Sequence, residues 1–461
     1  GGKGSSEVKP LQKHSVIKQL ESAGKSFEYY PGYIINSEKT NRRYESEAIN
    51  NSKGKTVLFF MADPDLSEAD SYDRENMSLP LCQLRLLNKL SLVAKNIVVV
   101  LQCGAPVDCA WSKMANAILL QGLAGEYGSE GLTKILYGEL SPSGKLAETW
   151  PLTIGSQASD SDFAQKKRNV FYKESIYVGY RYFDSARIRI AFPFGFGLSY
   201  TKFQLTEMEL SKNTIQKNEG LNISITLTNT GRYDGSEVLQ AYVKKLGKGI
   251  FHPEKELKGF VKAFLKKGET KTVEIALEPD AFRYFDPDKN QWETDKGYYD
   301  IIVSDGCSTS IAKRLEIISG AISSDQSAIL PHYYDPSSGL ASDQEFSILY
   351  KQPLPKEHKP KEPHTRNSML METKDRAFGR FVNLIVGFLI FCGKMMKNEF
   401  AMIAGRVLPM SPIRSILTMT KKFDMDMVDC LVEMFDGHVI KGYSHLCKER
   451  KKRKNEEIFG D

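Results

Sequence analysis

The sequence predicts a layered α/β sandwich domain, then an antiparallel β-sandwich of fibronectin type III-like pattern, then a helical C-terminal extension. Three observations carry this. Residues 97–101 read Ile, three Val and Leu, the unbroken run expected of a parallel strand covered on both faces. Leu221, Ile223, Ile225 and Leu227 alternate with Asn222, Ser224, Thr226 and Thr228, the period of a half-buried strand. From about Ser368 the apolar residues return to helical spacing.

In chain order, residues 1–200 read as alternating strands and helices. Residues 56–61 form a short apolar strand, and Leu84, Leu87 and Leu90 fall on one stripe of the helix before strand 97–101. Residues 115–125 and 130–137 also read as helices. From 201 to 317 short strands succeed one another, at 221–228, 237–244, 271–277 and 299–303. Turn signals separate them: Asn229-Thr230-Gly231, Lys267-Gly268 and Asp305-Gly306. Residues 318–366, rich in Ser, Asp, Pro and Lys, predict an extended surface linker. Pro353, Pro355, Pro360 and Pro363 keep helix out of its last third. Residues 367–447 predict a helical extension broken near Pro409 and Pro412, and 448–461 a solvated basic tail. The apolar run 381–393 has 13 residues and one Asn. A spanning helix needs about 20, so a helix docking its apolar face onto the body is expected, with no transmembrane span.

The 461 residues are 41% hydrophobic and 26% charged, which is globular and excludes collagen-like, disordered and disulfide-scaffold classes. Of the net charge of +6, five units sit in residues 448–454, six basic and one acidic; the nearly neutral remainder argues against a nucleic-acid partner. The seven cysteines form no CxxC pair, so free thiols in a reducing compartment, and a cytoplasmic location, are expected. The seven histidines form no HExxH or His-x3-His pair, so neither a metal site nor a cofactor is expected. Gly138…Gly144-Lys145 has one residue too many for a phosphate loop and lacks its hydroxyl residue. Gly195-Phe196-Gly197 precedes a β domain instead of a helix and reads as a linker turn.

One loop carries chemistry. Glu68-Ala69-Asp70-Ser71-Tyr72-Asp73-Arg74-Glu75 follows strand 56–61 at its carboxyl edge, where open α/β sheets place ligands. Carboxylates two residues apart, with an arginine close by, suit proton transfer by one group and charge anchoring by another. A solvated acidic loop is the bland alternative.

Several segments in order resemble glycoside hydrolase family three, the β-glucosidase and β-xylosidase family. Tyr72-Asp73-Arg74-Glu75-Asn76-Met77-Ser78-Leu79-Pro80 resembles the loop bearing its E-G-x-D-R signature. Val98-Val99-Val100-Leu101-Gln102-Cys103-Gly104-Ala105-Pro106-Val107, with Trp111, resembles its V-V-V-L-x-x-G-x-P-V…W stretch. Pro142-Ser143-Gly144-Lys145-Leu146, Val178-Gly179-Tyr180-Arg181 and Phe192-Pro193-Phe194-Gly195-Phe196-Gly197-Leu198-Ser199-Tyr200 match further motifs. Asn229-Thr230-Gly231 and Glu256-Leu257-Lys258-Gly259-Phe260 match its fibronectin-like domain. Leu408-Pro409-Met410-Ser411-Pro412 is similar, more loosely, to a helical extension of some members from Gram-positive bacteria.

The resemblance implies a retaining exo-acting hydrolase of β-linked gluco- or xylo-oligosaccharides, built from two carboxylates. The family's nucleophile is an aspartate on a (β/α)8 barrel that usually precedes the α/β domain, and that barrel is expected to be missing from this chain. The chain would therefore be a C-terminal fragment that is inactive alone. The family's acid/base glutamate falls on Asp70 and its glycine on Ser71; Asp70 ranks first as the catalytic carboxyl and Glu68 second. Arg74 and Gly2, in the glycine-rich entry to the domain, are the substrate-binding candidates. The aromatic motifs are expected to cement the junction with the β-sandwich. A non-catalytic carbohydrate-binding or scaffold protein with a degenerate site is the second reading, and self-association as a homo-oligomer stays open.

Overall fold

The computed structural model describes residues 9–459 except 13, 65–67, 69–73, 75, 160–168, 357, 358, 397, 421 and 422. The described residues of Gly1–Glu68, Glu75–Phe163 and Tyr172–Gln352 make one compact unit, and those of Ala69–Arg74, Ala164–Phe171 and Pro353–Asp461 a second.

The first unit begins with helices α1 (Val16–Ser22) and α2 (Arg42–Asn51), the latter capped by the Asn41 side chain, which accepts from Arg43 N and Tyr44 N. Strand β1 (Thr56–Ala62) leads through helix α3 (Leu81–Ser91) to β2 (Asn96–Gln102) and on to β3 (Ala117–Leu120). The three strands are parallel, in the order β1-β2-β3. Met61, Val99 and Leu101 are buried on one face of the sheet, and Leu86, Leu87 and Leu90 of α3 close over them; Val100, also buried, faces the other side. Helix α4 (Gly128–Leu136) follows.

Residues 115–125, expected as a helix, contain strand β3 instead. The apolar run is only Ala117–Leu120, too short for helix to outcompete strand pairing. Asn116 pins the pairing: its side chain accepts from Ile97 N at 2.8 Å and its own N donates to Ile97 O at 2.9 Å. Gly122, with φ +62°, turns the chain away.

The α/β part closes with β4 (Trp150–Pro151), helix α5 (Tyr180–Ser185) and β5 (Ile190–Phe192), which pairs with β4. The β-sandwich then runs through β6 (Phe203–Leu210), β7 (Thr214–Ile215), β8 (Leu221–Asn229), β9 (Gly235–Lys245), β10 (Glu256–Leu265), β11 (Thr270–Leu277), β12 (Tyr284–Asp286), β13 (Gln291–Glu293), β14 (Gly297–Ser304) and β15 (Ser310–Ile317). One sheet is ordered β10-β9-β14-β15-β7 and the facing one β11-β8-β6, antiparallel except where β7 joins β15. Leu221, Ile223, Ile225 and Leu227 point inward and are at most 4% exposed, as their alternation requires. At the end of β8 the buried Asn229 closes the turn: its Oδ1 accepts from Thr201 Oγ1 and Gly231 N, and its Nδ2 donates to Tyr233 O and Leu265 O.

The two domains of this unit are clasped at Gly195-Phe196-Gly197. Gly195 N donates to Leu146 O and Leu146 N to Phe196 O, both at 2.8 Å. Gly195 has φ +80°, and a Cβ on Gly197 would lie 2.1 Å from Gly144 O, so neither position admits a side chain. Lys145 Nζ donates to Gly197 O (2.8 Å) and Asp305 O (3.0 Å) and pairs with Glu237 Oε1 at 2.7 Å, with both side chains at most 10% exposed. Tyr180 accepts from Leu257 N at 2.7 Å and packs on Phe194 and Tyr242, so the aromatic motif does join the domains.

Residues 318–366, expected as an extended linker, fold in part. Helices α6 (Pro331–Tyr334) and α7 (Asp343–Tyr350) form there, the second started by a capping box in which Ser342 and Glu345 exchange hydrogen bonds. Leu330 and Tyr333 bury against Tyr177. Polar composition masked these two apolar anchors.

The second unit holds α8 (Ala377–Met395), α9 (Glu399–Met410), α10 (Ile416–Met419), α11 (Met425–Phe435) and α12 (Val439–Phe459). Ile413, Val428 and Phe435 form its core with Leu370, Phe378 and Val382. Helix α9 ends at Pro409-Met410, where a break was expected. Helix α12 continues through the basic run, which was expected as a tail; Lys and Arg are strong helix formers, and Glu449 pairs with Lys452 one turn on at 3.8 Å. Helix α8 departs most from expectation. It has 19 residues, long and apolar enough by length and composition to cross a membrane, and only 6% of its most apolar stretch is buried.

Candidate functional site

The acidic loop leaves the sheet at Ala62, and a buried amide fixes that exit. Gln83, on α3, accepts from Ala62 N at 3.0 Å and donates to Ala62 O at 2.9 Å, standing in for a neighbouring strand. Gln83→Ala removes a side chain only 4% exposed and leaves both backbone groups of Ala62 without it, at an expected cost of about 1–3 kcal/mol. Urea denaturation with and without the substitution measures it.

Glu68 is the one catalytic candidate among the described residues. Its Oε1 accepts from Gly104 N at 2.5 Å, bringing the loop after β1 onto the loop after β2. A second tie, Asp108 N to Met77 O at 2.8 Å, holds the other end of the same loop. Both loops lie at the carboxyl edge of the parallel sheet. A Cβ on Gly104 would come within 2.9 Å of the Leu123 side-chain tip and 3.4 Å of the Glu68 carboxylate, so a larger residue there would have to push Leu123 aside. Val107, Cys109 and Trp111 bury beneath the second loop. Burial pushes the Cys109 thiol up to about 12, so it stays protonated and is no nucleophile.

Asp70, the first-ranked acid, and Gly2 lie outside the described residues. Arg74 is half-buried and belongs to the second unit. Gln83 and Gly104 complete the site, and only Gly104 had a sequence signal, as part of the quoted Gly-Ala-Pro-Val stretch. Among the described residues no group of three or more His, Cys, Asp or Glu is placed to hold a metal ion. Chemically, the arrangement is a carboxylate loop on a rigid sheet edge, tethered at two points and suited to presenting an acid to something above it.

Residues 1–200 match the family model described as the glycosyl hydrolase family 3 C-terminal domain, and residues 237–307 the fibronectin type III-like domain. By these domains the chain belongs to glycosyl hydrolase family 3. Among curated family 3 relatives it is 36% identical over 306 residues to a thermostable β-glucosidase B of Acetivibrio thermocellus, covering 66% of this chain and 40% of the relative. It is also 36% identical over 304 residues to an exo-α-(1→6)-L-arabinopyranosidase of Bifidobacterium breve, with the same two coverages. Among solved structures, the family 3 β-glucosidase of Bifidobacterium adolescentis superposes with a TM-score of 0.66 at 33% identity, over 72% of this chain and 50% of that one. The Kluyveromyces marxianus β-glucosidase, solved with glucose, gives 0.58 at 32% identity, over 62% of this chain and 34% of that one. The chain thus spans about two fifths of the length of these curated relatives.

Proposed function

We propose that the chain is the acid/base-bearing C-terminal part of a retaining, exo-acting β-glycosidase acting on β-linked gluco- or xylo-oligosaccharides. The observation that carries this reading is the tethered acidic loop at the sheet's carboxyl edge in a family 3 domain, with Glu68 bound to Gly104 N. In this reading a barrel outside this chain supplies the aspartate that attacks the anomeric carbon. The loop supplies the carboxyl that protonates the departing oxygen and later takes a proton from water. Asp70 is the donor, and Glu68, whose oxygen already accepts from Gly104 N, holds the loop in place. The relatives' names, a β-glucosidase and an arabinopyranosidase, point to a small pyranoside at the chain end being cut.

Adding a barrel-bearing family 3 segment upstream of Gly1 and assaying aryl β-glucosides tests the proposal. Turnover with net retention at the anomeric carbon is the expected result, and inversion would sink it. One observation favours the second reading: Asp70-Ser71 stands where the family has Glu-Gly, so the acid is one methylene shorter. Thermal stabilisation by glucose without any turnover in the restored protein would replace the enzyme with a carbohydrate-binding protein.

A further inference from the structure

We propose that the outer face of α8 docks onto an anionic lipid surface, with the helix lying in the headgroup plane. Phe381, Leu384, Ile385, Phe388, Phe391 and Met395 recur at helical spacing, and each is between 41% and 71% exposed. Isolated exposed apolar residues are ordinary, but six large ones on one stripe are not. The opposite face is committed to the second unit. Phe378 and Val382 pack against its core, and the Asn383 amide donates to Leu370 O, Thr373 Oγ1 and Gly379 O. Spanning a bilayer would strip those contacts, whereas lying on its surface keeps them all.

Charge chooses the occupant. Arg376, Arg380 and Lys394 flank the stripe, and no acidic residue occurs from 376 to 398. A second copy of the chain would bring like charges together at both ends in either antiparallel or parallel pairing. Anionic headgroups complement the same residues, and a helix with an apolar face between cationic ends is the form that settles at a membrane interface. The exposed cations Lys448, Arg450 and Lys451 of α12 add to the attraction of the same unit.

Co-sedimentation of the full chain with vesicles tests the proposal. Mixed phosphatidylcholine–phosphatidylglycerol vesicles should pellet the protein, and phosphatidylcholine alone should retain far less. Leu384→Glu with Phe388→Glu should lower the bound fraction at least about tenfold. Arg380→Gln with Lys394→Gln, which leaves the apolar stripe intact, should weaken binding and its salt dependence. Circular dichroism and a thermal melt check that each variant is folded. Absence of binding to either vesicle, or binding that folded stripe variants retain, overturns the proposal. So does a dimer in light scattering that the Leu384/Phe388 pair dissolves without any vesicle binding by the parent, which would assign the face to a second copy.

Discussion

In the chain joined to a barrel-bearing family 3 segment, Asp70→Asn is expected to lower kcat/KM for an aryl β-glucoside of poor leaving ability by about 10²- to 10⁴-fold. The size follows from the job. A departing alkoxide or basic phenoxide needs a proton in the transition state, and an amide in place of the carboxyl has none to give at neutral pH. A dinitrophenyl glucoside, whose phenoxide leaves unaided, should lose far less in the first chemical step, so the ratio between the two substrates is the diagnostic measurement. Glu68→Gln should act differently. Its amide can still accept from Gly104 N, so the tether weakens without breaking, and both substrates should lose activity by a similar, smaller factor. If Glu68→Gln shows the leaving-group dependence and Asp70→Asn does not, the roles are reversed. If neither shows it, the loop carries no acid.

Lys145→Met is the substitution expected to destabilise the first unit most, by about 3–5 kcal/mol. It removes the cation from Glu237 and the donor from Gly197 O and Asp305 O, all in a region where the lysine and glutamate side chains are nearly buried. Burial already pushes the Glu237 carboxyl above its usual range, and Lys145 pulls it part of the way back. The folded protein therefore holds that proton more tightly than the unfolded chain does. The stability it contributes is present below the ordinary glutamate range and is lost as pH rises through the folded value. Removing Lys145 takes away the downward pull, so the loss should extend to higher pH. Denaturant midpoints across an acid-to-neutral series measure both effects. The Lys145→Met/Glu237→Gln double variant should recover part of the deficit, since no charge is then left buried alone.

What the sequence disclosed and what it hid divide along physical lines. The alternation at 221–228 faces a single core, so pattern alone places each side chain, and residues 97–101 need no partner to be read as a covered strand. Residues 117–120 were misread because four apolar residues fit either element; the pairing of Asn116 with Ile97 decides between them, and pairing is not visible along the chain. The folding of 326–350 turns on Leu330 and Tyr333 finding Tyr177, more than 150 residues away in sequence. At the site, the acidic loop was legible as chemistry, but the fixing of its exit from the sheet was not: Gln83 reads as one polar position on a helix, and only three dimensions show it closing the strand end. Helix α8 was legible as an apolar helix and misread in its orientation, because composition does not say which stripe the neighbours cover.

The Lys145 clasp has a consequence for synthesis in the cell. Its oxygen on Asp305 lies 160 residues downstream. At about 5–20 residues per second the ribosome takes roughly 8–32 s to deliver it. Late in that interval, once residues up to Gly197 have left the tunnel, the α/β portion has the Gly197 partner of its lysine but still lacks Glu237 or Asp305. A ribosome stalled within the sandwich would leave a nascent chain whose earlier half is assembled but unlatched, open to chaperones or proteases.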